Sequence, residues 1–179
     1  KHIVGKSFSA VESVVREQLN AELPPDFEDR YWASLAKDFE TNLQTTSGFL
    51  PILHQLSKRF CVASNSNLER VHKTLQVLGL EEAFGQNIFS SSQVENGKPA
   101  PDLHEFAAKT MGVLPDRVLV IEDSLTGVEA ARAAGMHVWR YVGASHFTAS
   151  QRERLLVTSD VPVFDSWSRF YELAPELKR

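Results

Sequence analysis

Apolar positions recur at helical spacing through the first quarter of the chain. Phe8, Val11, Val15 and Leu19 fall on one face. After a break at Pro24-Pro25, a second stripe runs through Phe27, Tyr31, Leu35, Phe39 and Leu43, with Asp26 placed to cap it. No strand pattern occurs in residues 1–46. Two helices cannot bury both apolar faces between themselves, so these two need further surface to pack on.

The pattern changes after Thr45-Thr46-Ser47-Gly48. A short helix is predicted from Pro51 to Lys58. Phe60-Cys61-Val62-Ala63 reads as a buried strand that stops at Ser64-Asn65-Ser66. Ser66 and Glu69 have capping-box spacing for a helix that turns Leu68, Val71, Leu75 and Leu78 inward and ends at Gly79. Ile88-Phe89-Ser90 is a short strand candidate, and Pro101 opens a helix carrying Leu103, Phe106, Ala107 and Met111. Val118-Leu119-Val120-Ile121 is the clearest buried strand. Thr126 and Glu129 form a second capping box, for an Ala-rich helix that Gly135 ends. Strands at Val138 to Val142 and Val161-Pro162-Val163, then a helix after Asp165, complete the pattern. Strands alternating with helices at these intervals predict an α/β fold, a Rossmann-like parallel sheet with helices on both faces, over residues 47–179. Ligands in such sheets bind beyond the carboxyl ends of the strands, so the residues ending the strands carry the candidate chemistry.

Composition narrows the partners. The 179 residues carry a formal net charge of -4, with no basic excess to neutralise a nucleic-acid backbone. No apolar run approaches the ~20 residues of a membrane helix, so no membrane partner is expected, and no signal peptide is visible. The single cysteine, Cys61, excludes an intrachain disulfide, fits a cytoplasmic location and reads as core. A monomer is expected. The chain opens on Lys1, as a piece of a longer protein would.

Three sites stand at strand ends or helix starts: Ser64-Asn65, Gly97-Lys98-Pro99-Ala100-Pro101-Asp102, and Glu122-Asp123 followed by Ser124-Leu125-Thr126-Gly127. Adjacent carboxylates repel unless a cation is near, and Mg2+ takes one or two carboxylates plus substrate phosphate. The bland alternative is that Asp123 or Ser124 caps the next helix, although Thr126 offers a better cap. Lys98, between a glycine and a proline, places an ammonium that neutralises phosphate or a carboxylate; a lysine in a loop is otherwise solvated surface. Ser64 and the N–H groups of the turn after it could hold a phosphoryl oxygen, or simply cap a helix. Gly97-Lys98 is not a nucleotide P-loop, because Ser92 and Pro99 stand where that motif needs glycine and a hydroxyl residue.

In this order and setting the three sites resemble motifs II, III and IV of the haloacid dehalogenase superfamily. Val62-Ala63-Ser64-Asn65-Ser66 resembles motif II and Gly97 to Asp102 motif III. Val120 to Ala131, with Ala134-Gly135-Met136, resembles motif IV. Residues 1–46 resemble the second half of the small helical cap in the subfamily of beta-phosphoglucomutase, phosphoglycolate phosphatase and sugar phosphatases. The resemblance implies a phosphatase that hydrolyses a small phosphorylated metabolite, a sugar phosphate among the candidates, through an aspartyl-phosphate. It implies catalytic roles for Ser64 and Lys98, phosphate binding by Ser64, Asn65 and Lys98, and Mg2+ held by Asp123 and Glu122, with Asp123 the direct ligand.

Motif I, an apolar strand followed by Asp-x-Asp-Gly-Thr, does not occur; Asp26-Phe27-Glu28-Asp29 is the nearest acidic cluster and no strand precedes it. The nucleophile, the central strand and the first part of the cap are therefore expected upstream of Lys1, leaving a partial cap (1–46), a core lacking its first strand (47–179), and a chain inactive by itself. A mutase is the nearest rival, but Phe8 and Asn67 stand where it needs cations, with Lys6 nearby. A non-catalytic phosphate-binding protein is the alternative from another class. His2, His54, His72, His104, His137 and His146 show no metal-ligand spacing and read as surface or core, as do Trp139 and Trp167.

Overall fold

A computed structural model of the chain describes residues 8–179. The roles considered for Lys6 and for the Phe8 side chain lie outside the described residues. Two helices come first, α1 (Phe8–Leu19) and α2 (Phe27–Asn42). Asp26 stands at the N-cap of α2, but its side chain accepts no capping hydrogen bond and instead approaches Arg30 at 3.8 Å. No described side chain of α1 or α2 is buried, and Leu19 remains 71% exposed. The pair has no core of its own, as the stripe pattern requires.

The remainder alternates strand and helix: α3 (Phe49–Gln55), β1 (Val62–Ser64), α4 (Leu68–Val77), α5 (Glu81–Phe84), β2 (Ile88–Ser90), α6 (Asp102–Met111), β3 (Leu119–Glu122), α7 (Leu125–Ala133), β4 (His137–Tyr141), α8 (Ala149–Thr158), β5 (Val163–Phe164) and α9 (Phe170–Leu173). Every strand pairing is parallel, which confirms the α/β class. The strands form two separate groups, β1-β2 and β3-β4-β5. β1 bonds β2 along one edge and β3 bonds β4 along one edge. Between their other edges runs a cavity of about 910 Å³, lined by Cys61 to Ser64 on one side and Val118 to Glu122 on the other.

This slot alters the expected burial. Val62, Ala63, Leu119, Val120 and Ile121 are only half-buried, whereas strands inside a covered parallel sheet are ordinarily buried on both faces. It also shortens β1. Phe60 and Cys61, expected within the strand, lie outside its ladder. Each half-sheet has its own apolar cluster. Leu53, Val71, Leu75, Leu80, Phe84 and Ile88 pack beside β1-β2. Ile52, Tyr141, Phe164, Trp167 and Phe170 pack beside β4-β5. Trp167 is buried there, with its indole N–H donating to Thr46 Oγ1 at 2.7 Å, and Trp139 packs edge-on against Phe164 and Phe170.

Two helix caps differ from expectation. Asn67, one residue past Ser66, caps α4 by accepting from the Arg70 N–H at 2.9 Å. Ser124 rather than Thr126 caps α7, accepting from the Gly127 N–H at 3.0 Å. In both cases the cap is the last extended residue before the first turn, and only that residue can turn its side chain back onto the free N–H groups.

Candidate active site

The carboxyl ends of β1 and β3 bring Ser64, Asn65, Glu122 and Asp123 to the same end of the slot, and the loop before α6 delivers Lys98 between them. Asn65 sets the position of that loop. Its Nδ2 donates to the Lys98 carbonyl at 2.9 Å and its Oδ1 accepts from the Lys98 N–H at 2.8 Å. One side-chain amide thus matches both backbone groups of one residue. Asn65 is itself tied down at its carbonyl by the Ser91 hydroxyl at 2.8 Å. Gly97 makes this approach possible, because a Cβ there would fall 2.9 Å from Asn65 Oδ1. The Lys98-Pro99 peptide is cis.

Lys98 Nζ forms an ion pair with Glu122 Oε1, with both side chains 9% exposed. Glu122 Oε2 accepts from the Ser124 hydroxyl at 3.0 Å. The first turn of α7 closes over this carboxylate at Gly127, where a Cβ would collide with it. The two adjacent acids therefore face different ways. Glu122 is turned inward to Lys98, while Asp123 is half-exposed and lies 3.8 Å from His146 Nε2. Among the described residues, no three His, Cys, Asp or Glu side chains group as a metal site. Ser64 Oγ accepts from the Ser66 N–H at 3.1 Å, so the turn after β1 is folded back onto its hydroxyl.

Three residues close to this site carried no sequence signal. His104, on α6, is 5% exposed with Nε2 buried and unpartnered. Burial, then the nearby Lys98 charge, pull its imidazole down to about 4, against the opposing pull of Glu122 and a hydrogen bond with the Gly127 backbone. His146 reaches Asp123 from the loop after β4. Arg70, on α4, lines the same cavity as Ser64 and Lys98. Spacing within one element could not find them, because each acts across elements. Burial pushes the Cys61 thiol up to about 11, which suits its reading as core.

The parallel strands thus gather a serine, a clamped lysine and an outward carboxylate at their carboxyl ends, where sheets of this class receive ligands. The haloacid dehalogenase-like hydrolase family matches residues 5–135, and the chain belongs to that family. It is similar to 6-phosphogluconate phosphatase of Escherichia coli (strain K12), at 27% identity over 143 residues, 80% of this chain and 62% of that protein. It thus spans less than two thirds of that relative's length. Among solved structures it resembles a conserved haloacid dehalogenase-like protein of Agrobacterium tumefaciens str. C58 (TM-score 0.80, 29% identity, 97% of this chain and 79% of that one). It also resembles a family hydrolase of Deinococcus radiodurans R1 with bound phosphate and sodium (TM-score 0.73, 32% identity, 98% of this chain and 78% of that one).

Proposed function

We propose that this chain forms the phosphate- and metal-binding part of a Mg2+-dependent phosphatase for small phosphorylated metabolites, sugar phosphates foremost, acting as a cytoplasmic monomer. The observation that carries the reading is the convergence of Ser64, Lys98 and Asp123 on one cavity at the carboxyl ends of β1 and β3. The likeness to a protein named 6-phosphogluconate phosphatase supports it. No helix of the described residues is long and apolar enough to cross a membrane.

Ser64 offers a hydroxyl beside the folded-back turn, where a phosphoryl oxygen can be held. Lys98, fixed at both its backbone groups by Asn65, supplies the ammonium that offsets phosphoryl charge, and Glu122 fixes the direction of that ammonium. Residues 8–46 form part of a helical cap over this end.

The slot between β1 and β3 is lined by residues of both strands, and Val62, Ala63, Leu119, Val120 and Ile121 along it are half-buried. A strand seated there would lie about 4.8 Å from each neighbour and end level with Ser64 and Glu122. We assign the nucleophilic aspartate to such a strand. Its carboxylate oxygen forms a bond to phosphorus as the ester oxygen leaves and takes up a proton. Water then attacks the aspartyl-phosphate, releasing inorganic phosphate and restoring the carboxylate.

For Mg2+, the fit is good at Asp123: its carboxylate is half-exposed, stands at the strand end and has His146 Nε2 no nearer than 3.8 Å. Glu122, neutralised by Lys98, orients the site from behind. When bound, the cation would neutralise phosphoryl charge. The test is hydrolysis of a generic aryl phosphate by the protein made from its whole reading frame, with and without Mg2+. Lys98→Ala and Asp123→Ala are each expected to lower kcat/KM at least about a hundredfold; unchanged activity in both would overturn the assignment.

A further inference from the structure

Resting on the phosphatase reading, we infer that Arg70 is a specificity-determining residue that binds a second anionic group at the far end of the substrate. Arg70 reaches the cavity from α4, and its neighbours along the wall include Trp32, Ser66 and Asn65. Its guanidinium lies flat on the Trp32 ring, with Cζ 3.4 Å from the ring centroid. Its Nη2 donates to Glu28 Oε1 at 2.9 Å, and the Trp32 indole N–H donates to the same oxygen at 3.3 Å. Both Trp32 and Glu28 belong to α2, so the cluster joins the helical unit to the core across the mouth of the site.

The chemistry of this cluster points to a ligand as well as a latch. Stacking on an indole fixes the plane of a guanidinium, and its N–H donors then radiate in that plane. Five donors are present in the fork, and among the described residues Glu28 is the one carboxylate that engages them, through a single oxygen. The remaining donors suit a two-oxygen anion. The Arg70 side chain is 24% exposed and that of Glu28 41%, so the pair is open to a competitor at the mouth of the site. Glu28 then acts as an internal stand-in for the anion, holding Arg70 oriented until substrate displaces it. Asn67, which stands where a mutase needs a cation, is committed to capping α4. Arg70, three residues further along, provides that charge. The class of substrate selected is a phosphomonoester bearing a carboxylate or second phosphate away from the ester.

The test compares two esters with the protein from its whole reading frame: a phosphorylated sugar acid and the phosphorylated sugar alcohol of the same length. For wild type, kcat/KM is expected to favour the acid. In Arg70→Met, the acid-to-alcohol ratio is expected to fall about ten- to a hundredfold, the size of a lost hydrogen bond between charged groups. In Glu28→Gln the ratio is expected to rise, because the competitor is weakened. Equal loss on both esters in both variants means that the cluster only pins α2 to α4, and overturns the inference alone. A wild-type ratio near one does the same. Hydrolysis of neither ester by wild type overturns the phosphatase reading and this inference together. Thermal unfolding of each variant checks that it is folded, and the opposite signs expected for the two changes cannot arise from a shared loss of stability.

Discussion

Replacing Lys98 with methionine removes an ammonium and keeps most of the aliphatic stem that carries it. Glu122 is then left with its carboxylate 9% exposed and with Ser124 as its remaining side-chain partner. Breaking a buried ion pair from one side typically costs about 3–5 kcal/mol, because the surviving charge is uncompensated. The Ser124 hydroxyl at 3.0 Å offsets part of this, so about 3 kcal/mol is the expected loss. Glu122→Met leaves the ammonium buried without its carboxylate and is expected to cost about 3 kcal/mol. The double change Lys98→Met with Glu122→Met removes both charges and is expected to recover stability to within about 1 kcal/mol of wild type, since apolar replacement of a whole buried pair is often neutral. Urea denaturation of the four proteins closes the double-mutant cycle, with an expected coupling of at least about 2 kcal/mol. A Lys98→Met protein within about 0.5 kcal/mol of wild type would show that water screens the pair, and the argument for a rigidly directed ammonium would go with it.

Gly127→Ala brings a methyl group onto the Glu122 carboxylate; a loss of about 2–3 kcal/mol in thermal unfolding is expected, against the roughly 1 kcal/mol by which alanine ordinarily favours a helix. His104 gives the chain a specific acid weakness. Its native imidazole resists protonation until about 4, whereas an unfolded histidine accepts a proton near 6.5. In that window the unfolded state binds more protons, so stability falls as pH drops from about 6.5 to 4, by up to about 3 kcal/mol. Urea midpoints at pH 7 and 4.5 measure this, and His104→Leu is expected to abolish that share of the pH dependence.

What the sequence made legible follows from how each residue acts. Ser64, Asn65, Lys98, Glu122 and Asp123 could be singled out because a parallel sheet presents its strand ends to ligand, and the structure gathers all five at one end. Their mutual orientation was not legible. The acids form a pair in sequence, yet successive residues leaving a strand point to opposite sides, so Glu122 meets Lys98 and Asp123 meets His146. Arg70 lies off the apolar positions Leu68, Val71, Leu75 and Leu78 of its helix, and only the packing of α2 gives it Trp32. The helix α8 has no buried residue, which leaves no apolar stripe to read in its sequence. Half-burial of Leu119, Val120 and Ile121 is likewise not legible, since an apolar run reports what a strand can bury and not how much of it is covered.

The slot between β1 and β3 also bears on how the molecule holds together. Each half-sheet leans on its own apolar cluster, and Phe49 of α3 packs against both, so the gap is a seam bridged by α3. A strand inserted there would serve as a keystone, offering a hydrogen-bonding partner to both flanks at once. Its binding free energy would then appear as folding stability. Changes that weaken its seat would loosen the seam before they touched a reacting atom, and loss of activity would arrive together with loss of cooperativity in unfolding.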